Sequence, residues 1–188
     1  TSWVLVPETV KFNLVGRLQE GVYPRDLMLT IIGEVGANGC NYQVMEFTGE
    51  GAGTFSVNDR MVLCNLAVEA GAKTGIFEAD EAAVQYLRER GREPKAVYTS
   101  DPDAVYAREY TFDLSQIQPV VARPDFVDDV VPAKDVCGVK IDEAFLGSCN
   151  NGRIDELRVG AAILKGKRVA DSVRFLVVPA SLEVYRQA

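Results

Sequence analysis

The feature that most constrains this chain is Gly147-Ser-Cys-Asn-Asn-Gly-Arg153, a polar turn wedged between an apolar run and a helical pattern. Ala144-Phe145-Leu146 feeds the turn. Ile154 to Lys165 leaves it with helical periodicity, and Val173 to Val178 follows as a nearly all-apolar strand. Continuous apolar strands separated by a helix indicate a parallel sheet covered on both faces, whose ligand edge is the carboxyl end of its strands. Cys149 lies on that edge. Backbone N–H groups and the positive end of the following helix are expected to converge there, where a thiolate is favoured and an anion or metal cofactor suits the turn. By itself, a cysteine at such a turn is structural by default, so a functional reading needs support from the rest of the chain.

The other bulk properties narrow the chemistry. With 188 residues and 47% apolar content, the chain can bury a real core as one large domain or two small ones. Histidine is absent, which removes the commonest general base and metal ligand. Twenty basic against 27 acidic residues give a net charge of −7, which argues against a nucleic-acid partner. Cysteines 40, 64, 137 and 149 form no C-x-x-C pair and, with no leader and no membrane-spanning run, read as reduced thiols of a cytoplasmic protein. The chain stops inside a helical pattern opened by Ser181, which reads as a portion of a longer protein.

Read from the start, Val4–Val6 and Thr9–Val15 are strand-like, with Val10, Phe12 and Leu14 on one face. Pro24 opens a helix running to Val35, and Tyr42–Phe47 is a strand. The three glycines of Gly49–Gly53 lack the spacing of a nucleotide loop. Ser56 and Asp59 form a capping box for the most unusual helix of the chain. From Met61 to Ala70 only Asn65 and Glu69 are not apolar, and they lie four apart on one face, with Asn58 in line. A helix this apolar is expected to be buried. Its polar stripe then has three readings: a thin solvent face, a carboxylate satisfied by a neighbouring arginine, or a polar line into an internal cavity.

Thr74–Phe77 reads as a strand and Asp80 caps a helix to Arg90. Residues 92–104 are a polar connection, Tyr106–Leu114 and Ile117–Ala122 are strand-like, and Pro124–Lys134 is a loop. Asp125, Asp128 and Asp129 in that loop lack the pattern of a calcium site and read as solvated.

These residues resemble the aconitase superfamily, in particular the large subunits of the 3-isopropylmalate dehydratase and homoaconitase kind. The resemblance is carried by VPETVKF (Val6–Phe12), RDLMLTIIGEVGANG (Arg25–Gly39) and EFTGEG (Glu46–Gly51). It continues through MVLCNLAVEAGAKTGIF (Met61–Phe77), GVKIDEAFLGSCNNGR (Gly138–Arg153) and VVPAS (Val177–Ser181). It implies an α/β, aconitase-like fold with mixed sheets covered by helices in two lobes. The lobes expected are 1–100, carrying the Asn65/Glu69 helix, and 136–188, carrying the Cys149 turn, with connecting strands and linker over 101–135.

It also implies a hydro-lyase acting on a hydroxy polycarboxylate through a 4Fe–4S cluster. In that family three cysteines hold the cluster, one in an S-C-T-N turn and two in a later C-x-x-C, and the open iron acts as a Lewis acid. Cys149 matches the first of these cysteines. Asn65 and Glu69 match the asparagine and glutamate brought close to the open iron and substrate. Asn151 and Arg153 are candidate substrate-binding residues, although Arg153 can equally pair with Asp155 or Glu156. A small subunit or swivelling domain is the implied partner, with no nucleic acid and no membrane. The chain departs from the pattern in three ways: Asn150 replaces the usual threonine, and both the C-x-x-C and an Asp-Ser-His segment are missing. The alternatives are a cluster-free binding or assembly module, or a dehydratase of methyl-substituted malates.

Overall fold

A computed structural model describes residues 3–188, in two compact units that divide between Val136 and Cys137. The first is built on four parallel strands in the order β3-β2-β1-β4, with β1 (Thr9–Val15), β2 (Val44–Thr48), β3 (Thr74–Phe77) and β4 (Arg108–Asp113). Alternation decides the core face. Val10, Phe12 and Leu14 of β1 are fully buried, as are Met45 and Phe47 of β2. Phe12 stacks on Tyr110 with ring centroids 5.4 Å apart and meets Phe47 at 5.6 Å.

Helix α1 (Pro24–Val35) covers this face with Leu27, Met28, Leu29, Ile31 and Ile32. Proline supplies its first turn, and Asp26 accepts the Tyr23 backbone N–H at 2.8 Å. Helix α2 (Val57–Leu66) starts at the expected capping box: Ser56 N–H donates to the Asp59 carboxylate at 2.9 Å and Asp59 N–H to Ser56 Oγ at 3.2 Å. It tightens into a 3₁₀ turn, Ala67–Ala70, and ends at Gly71, whose φ of 80° requires glycine. Helix α3 (Glu81–Arg88) is capped by Asp80, as the sequence indicates.

Residues 101–135 supply β4 to the main sheet, then a hairpin of β5 (Val120–Ala122) and β6 (Val130–Pro132). Strand β6 corrects the loop expected over Pro124–Lys134: Val130-Val131 is β-branched, and Pro132 is tolerated because the strand has one neighbour. Two of the three aspartates there are engaged rather than solvated, since Asp128 accepts the Ala37 N–H at 3.0 Å and Asp129 pairs with Arg123 at 2.7 Å, while Asp125 is exposed. Val4–Val6 is a second correction. It forms no strand and is exposed, with no strand paired to it among the described residues.

The second unit is a β-α-β arrangement. Strand β7 (Glu143–Gly147) leads through the one-turn helix α4 (Ser148–Asn151) into α5 (Ile154–Leu164), and β8 (Arg174–Val178) returns parallel to β7. Helix α6 (Leu182–Gln187) follows Ser181, whose Oγ accepts the Val184 N–H at 3.2 Å. The parallel pairing is as the apolar runs predict, but the coverage is not. Phe145, Val177 and Val178 are 55%, 48% and 41% exposed, because the two-stranded sheet is too small to be wrapped on both faces. Among the described residues no helix is long and apolar enough to cross a membrane.

Candidate functional site

The residues singled out by sequence fall into two groups, one in each unit. On α2, the side buried on the sheet is Val62, Leu63 and Leu66, joined by Ala67 and Ala70. The opposite side carries Met61 and Asn65, continued by Val68 and Glu69 of the following 3₁₀ turn, at the i, i+4, i+7, i+8 spacing of a helical stripe. All four are exposed, Val68 by 65%. The expectation of an entirely buried helix is therefore corrected, and so is that of a polar line into an internal cavity of this unit. The helix is apolar nearly all round, yet the sheet is on one side only. Among the described residues Glu69 has no ion pair, with an arginine or with any other cation.

This face is held rigidly. At the far end of the helix the carbonyls of Ala70 and Gly71 accept the N–H groups of Cys40 (2.9 Å) and Tyr42 (3.0 Å). Beside Asn65, the backbone of Cys64 lies against Gly75 of β3, where a β-carbon would come within 2.8 Å of the Cys64 Cα. Burial pushes the Cys64 thiol up to about 11, and burial also raises Cys40, against a smaller opposing effect of Arg108. Neither is a reactive thiol.

The second group is the Cys149 turn. Gly147, with φ of 127°, passes directly over the end of β8: a β-carbon there would lie 2.0 Å from the Val178 carbonyl oxygen. Gly152 is also crowded, with Ser148 O at 2.6 Å and Ala180 N at 2.7 Å from a built β-carbon. The Gly152 carbonyl accepts the Ala180 N–H at 2.8 Å. Ser148 adopts φ of 74°, a left-handed conformation costly for a residue with a side chain. Two glycines and the β8 end thus lock the turn, leaving the Cys149 side chain exposed and not in a disulfide.

Cys149 lies inside α4, four residues ahead of the α5 N-cap Arg153, rather than at the first turn of α5 as the sequence pattern implies. The extra turn exists because Gly152 and the extended Arg153 interrupt the helix. Glu156, which sequence reasoning passed over as a functional residue, ties the two together. It accepts the Arg153 backbone N–H at 2.6 Å and the Asn151 side-chain amide at 3.4 Å. The Arg-x-x-Glu spacing carried that signal, with Glu156 at the third position of the helix. Arg153 Nη1 donates to the Asn150 carbonyl at 2.7 Å, and Asn150, standing where threonine is usual, is buried.

Cys149 fits the donor chemistry of a thiolate-bound cluster, being an accessible thiol on a fixed backbone. Among the described residues no three of the His, Cys, Asp and Glu side chains come together as a metal site.

The fold agrees with the comparison to known families. The aconitase family (aconitate hydratase) profile matches residues 1–138 and 132–188, and the chain belongs to that family. Among its relatives, the chain is 52% identical over 186 residues to the "Probable 3-isopropylmalate dehydratase large subunit" of Methanothermobacter thermautotrophicus, covering 99% of this chain and 44% of the relative. It is 46% identical over 185 residues to "3-isopropylmalate dehydratase large subunit 1" of Methanopyrus kandleri, covering 98% and 44%. It is 44% identical over 187 residues to the "Probable methanogen homoaconitase large subunit" of M. thermautotrophicus, covering 100% and 44%. The chain spans less than half the length of these relatives.

Proposed function

We propose that the chain is a region of the large subunit of a hydro-lyase that isomerises a hydroxy polycarboxylate, such as 3-isopropylmalate or homocitrate. The substrate loses its hydroxyl and the neighbouring C–H proton as water, giving an alkene, and water adds back with the hydroxyl on the adjacent carbon. The observation that carries the reading is the exposed Cys149 thiol on a turn fixed by Gly147, Gly152 and Glu156, in a chain of the aconitase family.

In this reading Cys149 is one of three cysteine ligands of a 4Fe–4S cluster, the other two lying outside this chain. When bound, the cluster supplies a Lewis-acidic iron for the substrate hydroxyl and carboxylate. The residues of this chain do the orienting. Asn65 donates its amide to the reacting oxygen, and Glu69 accepts that oxygen's proton in a hydrogen bond, fixing the direction in which the hydroxyl departs or water arrives. Asn151 and Arg153 meet a substrate carboxylate, the guanidinium using donors other than the one given to Asn150. The base for the C–H proton comes from the small subunit or swivelling domain, the partner implied by relatives named as large subunits. The enzyme is cytoplasmic, where its free cysteines stay reduced.

The test is anaerobic iron–sulfide reconstitution of the complete large subunit with its small subunit, read by visible absorbance. Broad absorbance lost in Cys149→Ser is the expected result. A colourless protein with all its cysteines present would reduce the family relationship to ancestry and favour a cluster-free assembly module.

A further inference from the structure

We propose that Arg60 is a positioning residue for the Asn65/Glu69 face, acting through a fork to Asp80; this rests on the role given to that face above. Arg60 is the one charged side chain of α2 that is buried, 6% exposed, and it lies at the helix end opposite the Ala70 and Gly71 anchors. Its three donor nitrogens are all used. Nε donates to the Phe55 carbonyl at 3.1 Å, just before the helix cap, while Nη1 and Nη2 donate to the two Asp80 oxygens at 2.8 and 2.6 Å. The guanidinium also sits 5.7 Å from the centre of the Phe77 ring, at the end of β3. Asp80 in turn caps α3, accepting the Ala83 N–H at 3.1 Å. One side chain therefore joins the start of α2, the end of β3 and the start of α3.

A planar fork fixes direction as well as distance. The apolar contacts of Val62, Leu63 and Leu66 permit a small roll of α2 on the sheet, because dispersion contacts are individually weak and non-directional. A roll leaves those contacts largely intact but swings the outward side chains of Asn65 and Glu69. The bidentate pair resists that roll at one end, as the Ala70 and Gly71 carbonyls resist it at the other. Lysine, a point donor, retains charge and stem but not the fork.

The experiment compares Arg60→Lys, Asp80→Asn and the double variant in the complete cluster-loaded large subunit with its small subunit, using 3-isopropylmalate as probe. Asparagine keeps an acceptor for the α3 cap, so this variant tests the fork without removing the cap. The expected result is a kcat lowered about tenfold or more in each single variant, since a displacement near 1 Å in a positioned group can cost ~100-fold. KM and cluster absorbance stay near wild type, and the double variant is no worse than either single one, because both remove the same fork. Losses that track the unfolded fraction, additive losses, or an unchanged kcat overturn the proposal. Glu69→Gln is measured alongside. If it retains wild-type turnover, the reading of the face falls and takes this inference with it. If it is inactive while Arg60→Lys keeps its kcat, the inference alone falls.

Discussion

A β-carbon on Gly147 would fall 2.0 Å from the Val178 carbonyl oxygen, so the cysteine turn and the end of β8 are in backbone contact with no room for a side chain. Gly147 also has φ of 127°, outside the range open to other residues. Gly147→Ala therefore carries both a clash and backbone strain, and is expected to cost about 3 kcal/mol or more of stability. Gly91 is the control. Its φ is 66° but nothing lies within 4 Å of a built β-carbon, so Gly91→Ala should cost only about 1 kcal/mol. Urea unfolding of the two variants measures the difference, and equal losses would mean that the β8 contact is not what fixes the turn.

The four thiols divide by burial. Cys137 and Cys149 are exposed, whereas Cys40 is buried and Cys64 is pushed up to about 11. The thiolate is the nucleophile that attacks a disulfide reagent, and at pH 8 a group titrating near 11 is ionised in about one molecule in a thousand. In the native 188-residue chain two equivalents should react rapidly with Ellman's reagent and two more only on unfolding. Substituting Cys149 with serine should remove one fast equivalent. Four fast equivalents would show that the core around Cys40 and Cys64 opens readily.

Much of the first unit was legible because its signals are local. The Ser56/Asp59 box, Pro24 at the start of α1 and the alternation of Val10, Phe12 and Leu14 each act within a few residues. Partnership in space was not legible. Val4–Val6 has strand-like residues but, among the described residues, no strand beside it, and Val130–Pro132 pairs across a hairpin whose ends no local pattern announces. The outward face of α2 was misjudged for the same reason, since apolar composition does not say on which side the sheet lies. In the cysteine turn the residue types were evident. The helix break at Gly152 was not, because it follows from contact with Ala180, 28 residues away.

The Arg60–Asp80 pair gives stability a dependence on pH with a definite sign. The hydrogen bond from Arg60, foremost, holds the Asp80 carboxyl below the usual aspartate range. A carboxylate lowered in the folded state contributes stability that is fully present above its unfolded value, about 3.9, and is lost as pH falls through its depressed folded value. The stability difference between wild type and Asp80→Asn should therefore be constant from pH 5 to 7 and shrink below about pH 4. Denaturant midpoints across that range test it. A difference that persists undiminished at pH 2.5 would mean that packing, not charge, is what Asp80 contributes.

Glu69 is the residue on which the proposed chemistry depends most. It is exposed on a helix face anchored at both ends, and among the described residues it has no ion pair, so burying it within this chain's fold is not its purpose. Because it contributes little to folding, Glu69→Gln should leave the thermal midpoint of the chain within a few degrees of wild type. In the complete enzyme the substitution preserves shape but removes the charge that accepts the reacting oxygen's proton. Turnover should then fall by about 100-fold or more while the cluster absorbance is retained. Asn65→Asp gives the complementary case: it replaces an amide donor by a second carboxylate four residues from Glu69, and like charges at this spacing repel. It should lose activity at neutral pH and recover part of it as the pH falls and one carboxyl is protonated. A Glu69→Gln enzyme with near-normal turnover would return this face to a purely structural role.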